Sequence, residues 1–205
     1  MQVYMDDQTL ELEVSTIGDA IEEASDLAGK FGRIVVDVKL NDEPMEGEVL
    51  EAVMSRIAAD GDVLKMETAD TVELAVEVLN QMRGQINEIQ RIQQEAADLL
   101  QQDQASEALG LIGELTQCWL WVQQGVSQSS SLMGLRLDEL KVGEESVEKY
   151  AATLLKQLSE LKELIINQDM VAMADVLAYE WPEVAAKWDE LIVGLINEIQ
   201  EETAE

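Results

Sequence analysis

A change of hydrophobic period near residue 70 constrains this sequence more than any other feature. Before it, apolar residues alternate with polar ones in some stretches and recur at three and four in others; after it, the helical spacing holds almost to the end. A chain with one such switch is expected to be α+β. A small N-terminal domain should occupy residues 1–70, followed by an antiparallel helical bundle of four or five helices over residues 71–205.

In the first part, Val3 and Met5 alternate with polar neighbours, Asp6-Asp7-Gln8 makes a turn, and Leu10, Leu12 and Val14 complete a hairpin. Thr16, with Asp19 three positions on, caps a helix carrying Ile17, Ala20, Ile21, Ala24, Leu27 and Ala28, which Gly29 and Gly32 end. Ile34, Val36, Val38 and Leu40 predict the inward face of a strand closed by Asn41-Asp42, with Pro44 close behind. Val49, Leu50, Val53, Met54 and Ile57 form a short helix. Asp60-Gly61-Asp62 then leads to a last strand with Leu64 and Met66 facing inward. This element order resembles the β-grasp, or ubiquitin-like, fold. A carrier of that type needs a free Gly-Gly tail, whereas here Met66-Glu67-Thr68 runs straight into a helix, so the resemblance implies a partner-binding module and not conjugation.

The helical part divides into two αα-hairpins, residues 71–127 and 144–205. Ala75, Leu79, Met82, Ile86, Ile89, Ala96 and Leu100 form one seam, interrupted by Gln93. Ala105, Ala108, Ile112, Leu115, Trp119, Val122 and Val126 form its neighbour. The stretch from Gln128-Ser129-Ser130-Ser131 to Gly143 reads as a connector. Val147, Ala151, Leu154, Leu158, Leu161 and Ile165 then restart the pattern, which turns at Asn167-Gln168-Asp169 and meets Pro182 at the first turn of a new or kinked helix. The hairpins match one another at an offset of 66: Leu99-Leu100 with Ile165-Ile166, Ala108 with Ala174, Leu111 with Leu177, Glu114 with Glu180. Duplication and convergent turn chemistry account for this equally well.

Composition excludes more than it assigns. The chain has no histidine, which removes the usual general base and the His-containing zinc and di-iron sites, and its single cysteine can form neither an internal disulfide nor a thiolate cage. Cys118, in an apolar run without a basic neighbour, is expected to be a buried structural thiol. Asp60-Gly61-Asp62 fails as a calcium loop after two ligands, and no glycine-rich phosphate loop occurs. No enzyme activity, cofactor or metal is therefore expected. Forty-three acidic against 13 scattered basic residues, a net charge of −30, argue against nucleic-acid and membrane partners. The N-terminus has neither a basic nor an apolar leader segment and no run of 18 apolar residues occurs, so a cytoplasmic address is expected.

Two segments stand out as partner-binding candidates. Between Leu99 and Leu137 the only charged residues are Asp103, Glu107, Glu114 and Arg136, which suits either the central buried helix or a helix with one indole at an interface. Trp119 falls in the seam, leaving Trp121 for a partner. The second is Tyr179-Glu180-Trp181-Pro182 with Trp188, where a proline break could open an aromatic-lined cleft. The string Ala174-Asp175-Val176-Leu177-Ala178-Tyr179-Glu180 resembles the C-terminal region of a group of uncharacterised bacterial helical proteins, which lends no activity. The reading that follows is a non-catalytic, adaptor- or chaperone-like module that binds a basic or amphipathic helical protein, or a second copy of itself. The alternative is a carboxylate-based divalent-cation protein or metal-dependent enzyme.

Overall fold

The computed structural model describes residues 1–136, 141–142 and 145–202. The chain divides into two units, Met1–Leu74 and Ala75–Glu205.

In the first unit β1 (Gln2–Met5), β2 (Gln8–Leu10), α1 (Ile17–Gly29), β3 (Arg33–Leu40), β4 (Glu43–Pro44), α2 (Gly47–Met54) and β5 (Val63–Asp70) follow in order. The sheet runs β2-β1-β5-β3-β4, with β1 and β5 parallel and every other pair antiparallel, which is the β-grasp arrangement. Both hairpins close through two residues at positive φ, Asp6 (48°) with Asp7 (61°) and Asn41 (55°) with Asp42 (66°). This backbone matches the strand twist, and Asn and Asp adopt it more readily than other side chains. The first turn is also tied to the last strand. The Asp6 carboxylate accepts from the Thr68 amide at 2.8 Å and hydroxyl at 2.5 Å, and Arg33 Nε donates to the same hydroxyl at 2.6 Å.

Helix α1 starts with a reciprocal capping box: the Asp19 amide donates to Thr16 Oγ1 at 3.1 Å and the Thr16 amide to Asp19 Oδ2 at 3.0 Å. Its buried face, Ile17, Ala20, Ile21 and Ala24, packs on Val3, Val38, Leu40, Leu64 and Met66. Three details differ from the periodicity. A β-bulge between Val35 and Asp37 reverses the alternation in β3, so Ile34 and Val36 face solvent while Val35 joins Val38 and Leu40 against the core. Strand β2 stops at Leu10, and Leu12 and Val14 pack on the core outside the ladder. Ile57 lies beyond α2 and is 78% exposed. There the backbone, and not the side chain, is used: the Ile17 amide donates to Arg56 O and the Ala58 amide to Ser15 O, both at 3.0 Å.

The helical unit comprises α3 (Thr71–Gln101, which begins in the first unit), α4 (Ala105–Leu132), the two-residue strands β6 (Lys141–Val142) and β7 (Glu145–Ser146), α5 (Val147–Asn167), α6 (Met170–Asp175), a π-helical turn (Val176–Glu180) and α7 (Trp181–Glu202). Helix α4 continues through serines that the sequence assigns to a connector. Ser129 and Ser130 are buried, and the Ser130 hydroxyl returns to Val126 O at 2.8 Å, so the helix itself satisfies it. The helix ends at Gly134 (φ 68°) with Leu135 N bonded to Ser130 O. Of that connector, residues 137–140 and 143 lie outside the described residues, as does residue 144 at the start of the second hairpin.

Trp119 is fully buried at the centre of the unit, edge-to-face with Trp181 (ring centroids 6.3 Å apart) and Trp188 (5.7 Å) from α7. Arg83 of α3 forks onto Asp189 of α7 at 2.7 and 3.2 Å. Gln93 is buried in the α3 seam, its Oε1 without a hydrogen-bond partner.

The two hairpins correspond, but not in the register of their sequence match. At the first turn Gln104 N bonds Leu99 O around Asp103 (φ 59°). At the second, Asp169 N bonds Leu164 O around Gln168 (φ 54°), one residue earlier than the sequence offset requires. Buried Ala108 and Ile112 accordingly match Met173 and Leu177. Past the π-helical turn the sequence offset returns, and buried Leu115, Trp119 and Val122 match Trp181, Ala185 and Trp188. The π turn is thus a one-residue insertion, bonded Trp181 N to Val176 O. It also delivers the chain to Pro182, which has no N–H to give an α-helical ladder.

Candidate functional site

Two concave regions of the helical unit hold the partner-binding candidates. The first is a groove lined by Glu88 and Ile92 of α3 and by Glu114, Gln117, Cys118 and Trp121 of α4. Glu114, Cys118 and Trp121 stand at helical spacings of four and three, so one stripe of α4 forms this wall. Trp121 is 63% exposed, and its neighbour Leu120 is half exposed. Two positions from Trp119, it has to point away from the core that Trp119 fills. Arg91 pairs with Glu88 at 2.7 Å and Glu95 at 2.6 Å, holding the Glu88 carboxyl below its usual range. Cys118 is half-buried instead of fully enclosed, because its helix face borders the groove. Burial first, then the Glu88 and Glu114 charges, push its thiol up, so the thiolate is scarce at neutral pH.

The second region is a cleft of about 200 Å³ lined by Tyr150, Thr153 and Gln157 of α5, Tyr179 and Glu180 of the π turn, and Glu183, Val184, Lys187 and Trp188 of α7. The π turn carries Tyr179, 72% exposed, and Glu180 to its mouth. Trp181, expected beside them, is fully buried against Trp119, and Trp188 is also buried but lines the cleft. Trp181 is therefore a core residue and not a surface contact: the first residue after an inserted turn faces the interior. Trp121 lies in the groove, apart from the Tyr179–Trp188 set.

Periodicity gives no sign of the residues that complete these walls. Glu114 and Cys118 could be read from their spacing to Trp121, but Glu88 and Ile92 belong to another helix, as do Tyr150 and Gln157 opposite α7. Among the described residues, no three Asp, Glu, Cys or His side chains gather where they could hold a metal ion, and no helix is long and apolar enough to cross a membrane.

No curated protein and no solved structure matches the chain significantly. The family model for a domain of unknown function, DUF8042, matches residues 77–191, more than half of the chain and a span that contains both the groove and the cleft. On that match the chain belongs to the DUF8042 family.

Proposed function

We propose that this chain is a non-catalytic protein-interaction module, adaptor- or chaperone-like, that receives a basic amphipathic helix in the groove between α3 and α4. The observation that carries the reading is Trp121: a large indole left mostly in water, beside Ile92 and between Glu88 and Glu114. Indoles in such settings are the residues that most often anchor an interface, and a groove between two helices is the shape an amphipathic helix fills. Carboxylates at the rim, on a chain of net charge −30, favour a partner whose polar face carries Lys and Arg, and they steer its approach at low salt. The same charge opposes a second copy of this chain as the occupant.

The test is calorimetric titration of the full chain with a synthetic Lys/Leu amphipathic helical peptide. Binding should weaken with added salt, and Trp121→Ala should weaken it by about 2 kcal/mol, roughly 30-fold, without loss of fold. Glu114→Lys should weaken it further. A peptide that binds Trp121→Ala as tightly as the parent chain, or does not bind the parent at low salt, overturns the proposal.

A further inference from the structure

The groove between α3 and α4 specifies more about its occupant than a basic amphipathic character, because its α4 wall has the outline of a single packing hole. Glu114, Gln117, Cys118 and Trp121 stand at positions i, i+3, i+4 and i+7, a diamond of four side chains into which one side chain of a facing helix inserts. Cys118, short and half-buried, makes the low point of the diamond, while Glu114 and Trp121 close its ends, about 10 Å apart along the helix. The two carboxylates of the groove are not equivalent. Glu88, on the α3 wall, is already held by Arg91 through Nε at 3.0 Å and Nη2 at 2.7 Å, whereas Glu114 is exposed and has no hydrogen-bond or ion-pair partner among the described residues. The groove therefore offers one free anion at one end of the hole and an indole at the other.

The same face of α4 sets the axis along which an occupant lies. Towards the helix N-terminus from Glu114 it carries Gly113 and Gly110, both exposed and both with nothing within 4 Å of a virtual Cβ. Glycine inside a helix is destabilising relative to alanine, and no described residue uses the space these two leave; a second backbone passing close above α4 does. Between Gly110 and Gln124, Glu114 is the single charged residue, in a chain where 27% of residues are charged.

On the reading that this groove receives a basic amphipathic helix, we infer that the helix lies along α4 with one apolar side chain in the hole at Cys118, a Lys or Arg one turn away against Glu114, and a second apolar side chain one turn the other way against Trp121. The occupant is thus recognised by a spacing, apolar, apolar and basic at successive turns of one face, and not by the number of its positive charges. Glu88 adds no second cation to the pattern, because Arg91 already occupies its carboxylate. Lys and Arg elsewhere on the occupant speed its approach to a chain of net charge −30 without fixing its register.

Two helical Lys/Leu peptides of identical composition separate register from charge. In one, a face presents Leu, Leu and Lys at i, i+4 and i+7; in the other, that Lys exchanges places with a Gln of the outward face. Each is made in forward and reversed sequence, and the tighter-binding direction is compared. By calorimetry at low salt the full chain should bind the in-register peptide about fivefold more tightly than its isomer, the upper range for one exposed ion pair. Glu114→Gln should abolish that preference and Glu88→Gln should leave it. With cysteine in place of the middle Leu, the peptide should form a disulfide with Cys118 in a glutathione redox buffer, and cysteine one turn to either side should do so about tenfold less. If neither peptide binds the parent chain in either direction, the reading of the groove fails and this register with it. If both bind equally well, or the crosslink does not favour the middle position, the register is overturned while the groove remains a helix site.

Discussion

Replacing Gly18 with alanine sets two opposed effects against each other in a way the structure resolves. Gly18 is buried near the start of α1, and a Cβ built on it would lie 2.6 Å from the carbonyl oxygen of Met54, 3.2 Å from its carbonyl carbon and 3.4 Å from its Cα. Helix propensity favours the substitution by at most about 1 kcal/mol. The clash is with backbone at the end of α2, so no rotamer change relieves it. Nor can α2 move off freely, because the segment after it is held to the α1 entrance by Ile17 N to Arg56 O and Ala58 N to Ser15 O. Overpacking against a held backbone costs about 3 kcal/mol, the upper end of the usual range, leaving a net loss of about 2 kcal/mol. For a unit of this length that lowers the melting temperature by roughly 10 °C. Gly29, in the same helix, has nothing within 4 Å of its virtual Cβ, so Gly29→Ala should leave stability unchanged or raise it by up to about 1 kcal/mol. Calorimetric melts of the full-length variants compare the two. If Gly18→Ala melts at or above the parent temperature, α1 and α2 are not in the contact described, and the reasoning is wrong.

Three further outcomes follow from other sites. Asp62 accepts from the Ala59 amide (2.8 Å), Asn41 Nδ2 (3.2 Å) and Arg56 (2.8 Å), which hold its carboxyl at about 2, below the ordinary 3.8. Because the folded value is the lower, its contribution is complete above about pH 4 and disappears as pH falls through about 2. The stability gap between parent and Asp62→Asn should therefore close across that window; a gap independent of pH contradicts the assignment. Cys118, its thiol raised by burial, should react with iodoacetamide more slowly than a free cysteine, with a rate midpoint above pH 9, and a faster reaction at neutral pH would contradict this. Trp119→Ala, which removes the indole between Trp181 and Trp188, should destabilise the helical unit by about 3–5 kcal/mol in urea titrations, against a negligible effect of Trp121→Ala.

Local signals that act within one element were legible in the sequence. Thr16 with Asp19, the Asp6-Asp7 and Asn41-Asp42 turns, and the order of elements that yields the β-grasp sheet depend on residues a few positions apart. The α4 stripe that buries Trp119 and exposes Trp121 was readable for the same reason. Misreadings cluster where the rise or the pairing changes by one residue. The bulge at Val35/Asp37 turned Ile34 and Val36 outward, and the π turn put Trp181 in the core and shifted the hairpin correspondence. Buried Ser130 at the end of α4 was misread because composition counts a hydroxyl as polar, although the helix satisfies this one through the preceding turn.

By itself, then, the sequence determined the switch from a mixed strand-and-helix segment to a helical one near residue 70, the strongly acidic charge balance and the lack of histidine, since each depends on residue identity or on short-range spacing. Only the tertiary structure decided which helix meets which. It set Glu88 and Ile92 opposite Trp121, and Gln157 on the same cleft as Trp188. Those pairings follow from packing between residues far apart in the chain, and a period measured along one helix contains no information about its neighbour.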